Sequence, residues 1–107
     1  MAQHMTVPVV ENNDFDERFR LTENNLPLDL TGRTVEAYVR ESRVVEDVDS
    51  LALTVGSGLT LVDIPGGIVD VSMTWAQVQF MRHLRIDVIS AGKRKTHVIA
   101  YLNHEDT

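Results

Sequence analysis

The sequence contains no cysteine and no long apolar run. The absence of cysteine excludes disulfides and thiolate chemistry, so packing or contacts with neighbouring subunits must hold the fold together. No run approaches the roughly 18 to 20 apolar residues that span a bilayer, and the first five residues lack the basic and apolar regions of a signal peptide. We therefore expect a chain that is made in the cytoplasm and has no membrane contact.

Positive charge is also scarce. Ten lysines and arginines stand against sixteen acidic residues, which gives a formal net charge of -6. A surface that binds a phosphate backbone needs concentrated basic charge, so we expect no nucleic-acid partner. Half of the basic residues lie between Arg82 and Lys95, but Asp87 interrupts them and no aromatic residue lies among them. We interpret this stretch as a solvated strand face.

The length and the balance of residues are typical of one globular domain. A chain of 107 residues can bury one modest core but not two, and its 43% hydrophobic content is that of a folded chain. We divide it into an N-terminal arm or edge strand (residues 1–12), a single β-sandwich-like domain (residues 13–103) and a C-terminal tail (residues 104–107). The acidic stretch Ser42 to Ser50 is expected to be a long, mobile connection.

Alternating apolar and polar residues predict strands along most of the chain. The clearest alternation runs from Arg33 to Glu41, where Val35, Ala37 and Val39 share one face. An earlier strand is predicted from Phe15 to Thr22, and it ends at an asparagine-rich turn. These patterns favour a sheet with one buried and one solvated side.

Two hairpins can be assigned a register from their turn residues. A three-residue loop, Pro65-Gly66-Gly67, places Gly67 in the left-handed bulge position and pairs Leu61 with Val71. Near the C terminus, a loop of Ser90-Ala91-Gly92 brings Leu84, Ile86 and Val88 to the same face as alternate residues of the next strand. That register sets Asp87 opposite Lys95 as a surface ion pair.

A helix start lies between the two hairpins. Thr74-Trp75-Ala76-Gln77 matches a capping box, in which the threonine hydroxyl and the glutamine amide serve free backbone groups. The helix is predicted to end near Met81, with Trp75, Val78 and Met81 on one side. The expected architecture is all-β and mainly antiparallel: a small β-sandwich or flattened barrel with one short α-helix between late strands.

No pattern of residues predicts catalysis or a metal site. The histidines have no ligand spacing, and we interpret them as isolated surface residues: His4, His83, His97 and His104. Asp63 and Asp70 flank a hairpin turn and would need a cleft to act as an acid and a base. No serine lies in a nucleophile elbow, and the glycine pairs lack the helix and lysine of a phosphate-binding loop. We predict no enzyme activity, no cofactor and no metal.

Five residues are candidates for an interface with other proteins. Trp75 and Phe80 are either core packing or exposed anchors, because aromatic residues are enriched at binding hot spots. The apolar stretch from Met5 to Val10 is either an edge strand of its own domain or an arm that pairs with a neighbour's sheet edge. The candidates are Val7, Val9, Val10, Trp75 and Phe80.

The order of these signals is similar to that of a known phage domain. The strand from Phe15 leads into Asn25-Leu26-Pro27-Leu28-Asp29-Leu30-Thr31-Gly32-Arg33-Thr34 and then into the alternating strand that ends at Arg40. This resembles the small β domain that opens baseplate upper proteins of tailed bacteriophages and recurs in short phage tail proteins. The later pieces resemble the remaining parts of that domain, a hairpin, a capped helix and a closing hairpin: Leu59 to Asp63, Gly67 to Ser72, Thr74, Leu84 to Val88 and His97 to Leu102.

The resemblance implies a non-enzymatic virion structural protein. Asn13-Asp14 replaces the glycine-aspartate pair that usually precedes the first strand, and baseplate upper proteins continue into further domains. We therefore expect an adaptor or assembly subunit of the tail, baseplate or fibre attachment, located in the virion and made in the host bacterial cytoplasm. Its expected partners are other virion proteins and further copies of itself. The alternatives are a capsid-decorating or head-fibre protein, or a small module that binds a host factor or a carbohydrate.

Overall fold

The structure is a computed structural model, and it describes residues 2–41 and 51–105. The connection predicted for Ser42 to Ser50 lies outside the described residues. Within them the chain forms ten strands and one short helix: β1 Gln3–Val10, β2 Phe15–Arg20, β3 Thr22–Glu23, β4 Leu26–Pro27, β5 Thr34–Arg40, β6 Leu51–Val55, β7 Gly58–Asp63, β8 Ile68–Met73, α1 Trp75–Val78, β9 His83–Ser90 and β10 Lys93–Glu105.

Eight of the strands form one sheet in the order β1-β10-β9-β5-β6-β7-β8-β2, while β3 and β4 form a small separate hairpin. The sheet curls into a nearly closed barrel, so the chain is nearly all β with one short helix, as predicted. Of the two predicted forms, the fold is the barrel and not the sandwich of two stacked sheets. The sheet is also mixed, because β1 pairs with β10 and β6 with β7 in parallel.

The two edge strands, β1 and β2, lie at the seam of the barrel. The Gln3 side chain donates a 2.5 Å hydrogen bond to the Thr22 hydroxyl at one end of the seam. At the other end a short connection joins Val10 to Phe15. The N-terminal residues are therefore an edge strand that pairs with its own domain. β10 extends to Glu105, two residues into the stretch expected to be a tail.

Apolar side chains from alternate positions of the strands fill the barrel. Val7 and Val9 of β1 belong to this core, together with Phe15 and Phe19 of β2 and the alternating valines of β5. In a strand, successive side chains point to opposite faces, so alternate residues of each of these strands share the core. Burial of this apolar surface is the main force that stabilises the barrel.

Each end of the barrel is closed by a different element. We call the end that carries α1 and residues 11–14 and 103–105 the helix end, and the opposite end, with the turns at 24–25, 64–67 and 91–92, the turn end. At the turn end, the side chains of Leu21, Leu28 and Leu30 are buried in the core. The Leu30 amide donates to the Ile64 carbonyl at 2.8 Å and the Leu28 amide to the Leu21 carbonyl at 2.9 Å. These bonds hold the leucines across the opening.

The β7–β8 hairpin keeps its predicted faces, but its register differs by two residues. Leu59, and not Leu61, pairs with Val71, because the loop contains four residues and the ladder shifts between Leu61 and Asp63. The Asp63 carboxylate accepts a 3.1 Å bond from the Gly66 amide, which supports the wider turn. Gly67 has φ +70°, the left-handed conformation that was predicted.

The β9–β10 hairpin also differs in register. Its turn has two residues, Ala91 and Gly92, both with positive φ (52° and 79°), which matches the twist of the flanking strands. An irregularity between Thr96 and Val98 then inserts one extra residue into β10, so that Val98 pairs with Ile86 on the core face. Asp87 consequently lies opposite Thr96, and the predicted pairing of Asp87 with Lys95 is wrong.

Candidate interaction surface

The short helix is fastened firmly across the helix end. Thr74 and Gln77 form the predicted capping box, in which the Thr74 amide donates to Gln77 Oε1 at 2.9 Å and the Gln77 amide donates to Thr74 Oγ1 at 3.3 Å. The Trp75 amide donates to the Asp14 carboxylate at 2.8 Å, which ties the helix to the connection before β2. Val78 is fully buried and anchors the helix in the core.

Trp75 is half-buried against the core. Its indole ring makes an edge contact with the His104 ring, with 6.3 Å between the ring centroids. His104 Nε2 lies 2.6 Å from the Met81 carbonyl oxygen, so the end of β10 holds the segment that follows the helix. Of the two roles considered for Trp75, packing accounts for these contacts.

Phe80 is the large exposed side chain of this region, with 62% of its surface accessible. Val10, at the end of β1, is 38% exposed. By contrast, Val7 is 7% and Val9 2% exposed, because they occupy the inward-facing positions of β1. The prediction that Val7 and Val9 face a partner is therefore corrected, since their side chains lie in the barrel's own core. Val10, Trp75 and Phe80 all lie at the helix end.

The helix end is acidic. Five exposed carboxylates lie there among the described residues: Glu11, Asp14, Asp16, Glu41 and Glu105. The arginines of this end are only partly exposed: Arg82 donates to the Met81 carbonyl at 3.1 Å, and Arg40 also has an interaction partner. The surface around Phe80 therefore combines an exposed aromatic ring with negative charge.

A buried carboxylate organises the outer face of β5, β9 and β10. Asp87 is fully buried, although it lies on the face of β9 that points away from the core. Its oxygens accept hydrogen bonds from Arg85 at 3.1 Å, from Arg94 at 2.9 Å and from the Thr96 hydroxyl at 2.8 Å. These partners replace the solvated surface pair that the sequence predicted.

Tyr38 completes this network from β5. The guanidinium carbons of Arg85 and Arg94 lie 4.9 Å and 5.5 Å from the centre of its ring, within the range of cation–π attraction. The Tyr38 hydroxyl donates to Glu36 at 2.9 Å, and this bond raises the pKa of Tyr38. Arg94 also bonds to Glu36 at 2.8 Å, and that bond lowers the pKa of the Glu36 carboxyl group.

Sequence reasoning missed this network. The alternation of β5 and β9 does place Glu36, Tyr38, Arg85 and Asp87 on outward positions. These four side chains and Arg94 meet only because the two-residue turn and the shift near Thr96 set the register of β9 against β10, which places Arg94 over Asp87. The network ties three strands together.

His97 is buried at the turn end, with 5% of its surface exposed, and is not the surface histidine that we expected. Burial lowers its pKa, and the neighbouring Lys95 ammonium lowers it further, while Glu23 and the backbone of Thr22 act in the opposite direction. Lys95 and Glu23 form an ion pair at 2.9 Å beside it.

The carboxylates considered for acid–base chemistry do not act together. Asp63 accepts from the Gly66 amide, whereas Asp70 pairs with Arg18 at 2.8 Å across β2 and β8. Over residues 2–41 and 51–105, no three histidine or acidic side chains meet in a way that could hold a metal ion. Five of the concave regions that the described residues line have volumes from about 140 to about 310 Å³. These volumes lie at or below the lower limit of common ligand sites.

The same described residues contain no helix that is long and apolar enough to cross a membrane. No protein-family model matches the sequence, and a comparison with curated proteins finds no match.

Proposed function

We propose that this chain is a non-enzymatic structural protein of a bacteriophage virion, an adaptor or assembly subunit of the tail, the baseplate or the fibre attachment. It docks through its helix end. The observation that supports this role best is Phe80, a large aromatic side chain that remains 62% exposed in the turn that follows α1. Aromatic residues are enriched among binding hot spots, because their burial removes a large apolar area from water.

The phage assignment itself rests on the resemblance in sequence. One segment of that resemblance, Asp29-Leu30-Thr31-Gly32, forms a turn in which the Asp29 carboxylate accepts from the Thr31 amide at 2.9 Å and from the Thr31 hydroxyl at 2.6 Å. Leu30 is buried and Gly32 has φ +73°. This segment therefore seals the core, and a motif with that task suits a scaffold domain.

Virion incorporation tests the proposal directly. Particles of the phage that encodes the chain are purified on a density gradient, and the copy number of the chain is measured by quantitative mass spectrometry. We expect a fixed number of copies for each particle. A chain that is made during infection but is absent from purified particles would refute the virion role.

A pair of variants then tests the docking surface. Phe80→Ser is expected to reduce incorporation strongly, whereas Tyr101→Ser, which removes an aromatic ring that is also exposed but lies on the outer face, should leave incorporation intact. Both positions are accessible, so neither change should cost the fold much more than about 0.5 kcal/mol. Equal incorporation of both variants would exclude Phe80 as the docking residue.

A carbohydrate-binding module is the second candidate, and one feature favours it. Tyr101 contacts His83 edge to face at 5.8 Å, beside a shallow groove of about 280 Å³ on the outer face of β1 and β10. An exposed aromatic ring in a groove can stack against a sugar. Titration with a panel of oligosaccharides, monitored by the fluorescence of Trp75 and by NMR, should show binding that Tyr101→Ala abolishes. If no sugar binds, this candidate is rejected.

A further inference from the structure

The two ends of the barrel differ in charge. The described residues of the helix end carry five exposed carboxylates and two partly exposed arginines. The turn end has more basic than acidic side chains: Arg20, Arg33, Lys93 and Lys95 against Glu23, Asp29 and Asp63. Opposite surface potentials steer two proteins together and fix their relative orientation.

Both ends also expose large apolar side chains. Phe80 and Val10 lie at the helix end, while Leu26 (67% exposed) and Ile64 lie at the turn end. Apolar side chains surrounded by charged residues are the usual composition of a docking surface, with an apolar centre and a polar rim. The chain therefore has two candidate surfaces, at opposite ends of one barrel.

We propose that the helix end of one copy docks on the turn end of a second copy, so that the chain associates head to tail. This inference rests on the proposed assembly role and names a partner for the helix end. A symmetric contact between two helix ends would bring ten carboxylates together, and like charges in an interface cost free energy. The head-to-tail contact avoids this repulsion and places the acidic helix end against an end that carries four basic side chains.

The turn end is already rigid before docking. Lys95 and Glu23 pair at 2.9 Å, and the Asp63 carboxylate fixes the 64–67 turn through the Gly66 amide. Asn24 and Asn25 adopt positive φ values of 53° and 65° in the two-residue turn next to Leu26. A preorganised surface loses little conformational entropy when it binds.

A head-to-tail contact uses two different surfaces, so a pair of bound copies still has one free surface of each kind. Such contacts continue until the rotation between neighbours closes a ring, or they extend as a filament. The purified protein is therefore expected to form a concentration-dependent series of oligomers and not a single symmetric dimer.

Cross-linking distinguishes the two geometries. Because the chain has no cysteine, single cysteines can be introduced without background. Ala76→Cys on α1 and Pro65→Cys in the 64–67 turn, two exposed sites that leave Phe80 and Leu26 in place, are prepared separately, one of them isotopically labelled, and mixed with a flexible thiol-reactive cross-linker. We expect dimers that join residue 76 to residue 65, with few that join like positions. Thr60→Cys, an exposed site in the middle of β7, is the matched control and should cross-link poorly with either.

Sedimentation velocity of the unmodified chain measures the strength of the contact. We expect oligomers to appear as the protein concentration approaches about 1 mM. Their association constant should fall by about tenfold between low and high salt, because the Debye length falls from about 30 Å at 0.01 M to about 3 Å at 1 M. The double variant Glu11→Lys with Glu105→Lys should weaken association by a similar factor.

The outcomes separate this inference from the virion role. A monomer at every concentration, or cross-links mainly between two copies of residue 76, overturns head-to-tail association. If such a monomer is still found in purified particles, the virion role stands. Conversely, a chain that associates head to tail in solution but is absent from particles supports this contact and refutes the virion role.

Discussion

The fully buried carboxylate of Asp87 accepts a 2.9 Å hydrogen bond from Arg94, although the two residues are not opposite each other in the β9–β10 ladder. Asp87 faces Thr96, and Arg94 faces Ile89. The long arginine side chain reaches diagonally along the outer face and covers the carboxylate. The contact therefore depends on the exact register of the hairpin, and it joins β9 to the start of β10.

Removal of Asp87 should destabilise the barrel more than removal of Arg94. Asp87→Ala leaves Arg85 and Arg94 without their shared acceptor, and we expect the free energy of unfolding to fall by about 1 to 3 kcal/mol. Arg94→Ala should have a smaller effect, because Asp87 keeps Arg85 and Thr96 as donors. Urea unfolding of both variants provides the comparison. Equal losses would show that the carboxylate is not the centre of the network.

The stability of the protein should decrease in mildly acidic solution because of His97. Its folded-state pKa lies below the unfolded value of about 6.5, so below that pH the unfolded chain binds more protons than the folded chain. The free energy of unfolding is therefore highest above about pH 6.5 and falls as the pH drops towards the folded-state pKa.

The variant His97→Gln should flatten this part of the pH profile. His4→Gln is the matched control, because it makes the same chemical change at an exposed position. Thermal unfolding measured from pH 7.5 to pH 5 tests both. An unchanged slope in His97→Gln would assign the pH dependence to other groups.

Gly67 should tolerate no side chain. A Cβ atom there would lie 2.6 Å from the carbonyl oxygens of Leu21 and Leu28, and its φ of +70° already disfavours other residues. Gly32 has a similar φ of +73° but no atom within 4 Å of its Cβ position. We expect Gly32→Ala to cost about 1 to 2 kcal/mol through backbone strain alone. Gly67→Ala should cost clearly more, as measured by chemical denaturation. Similar costs would mean that the backbone of Leu21 and Leu28 moves away easily from a side chain at position 67.

The capping box should contribute measurably to stability even though α1 has only four residues. Thr74→Ala removes the hydroxyl that accepts from the Gln77 amide, and such losses usually cost about 0.5 to 2 kcal/mol. Thr74→Ser retains the hydroxyl and should behave like the original protein. Hydrogen exchange at the Gln77 amide should accelerate in Thr74→Ala only. No acceleration would indicate that tertiary packing alone holds the helix.

Local sequence patterns were sufficient for the helix start and for the core face of each long strand. Thr74 and Gln77 interact within one turn, and Val35, Ala37 and Val39 are buried because strand alternation leaves no other choice. The left-handed conformation of Gly67 was also predictable, since glycine adopts positive φ without a steric penalty.

The candidate surface was predictable only in part. The helix predicted to reach Met81 ends at Val78, so Phe80, placed off the apolar side of that longer helix, lies in the turn that follows α1. The six-residue stretch from Met5 to Val10 was harder to assign, because Val7, Val9 and Val10 look alike in sequence. Which of these valines are buried depends on the face that β1 turns towards the core when it pairs with β10. This pairing is a property of the assembled barrel.

The sequence by itself determined which segments become strands, where the helix begins and which faces are apolar, because these depend on neighbours within a few residues. Only the tertiary structure decided that β1 lies parallel to β10, that Asp87 lies beneath two arginines and that His97 is buried. Each of these depends on hairpin register and on barrel closure. A shift of one residue in register turns every side chain of a strand to the opposite face, so contacts between distant residues are settled only when the whole sheet has formed.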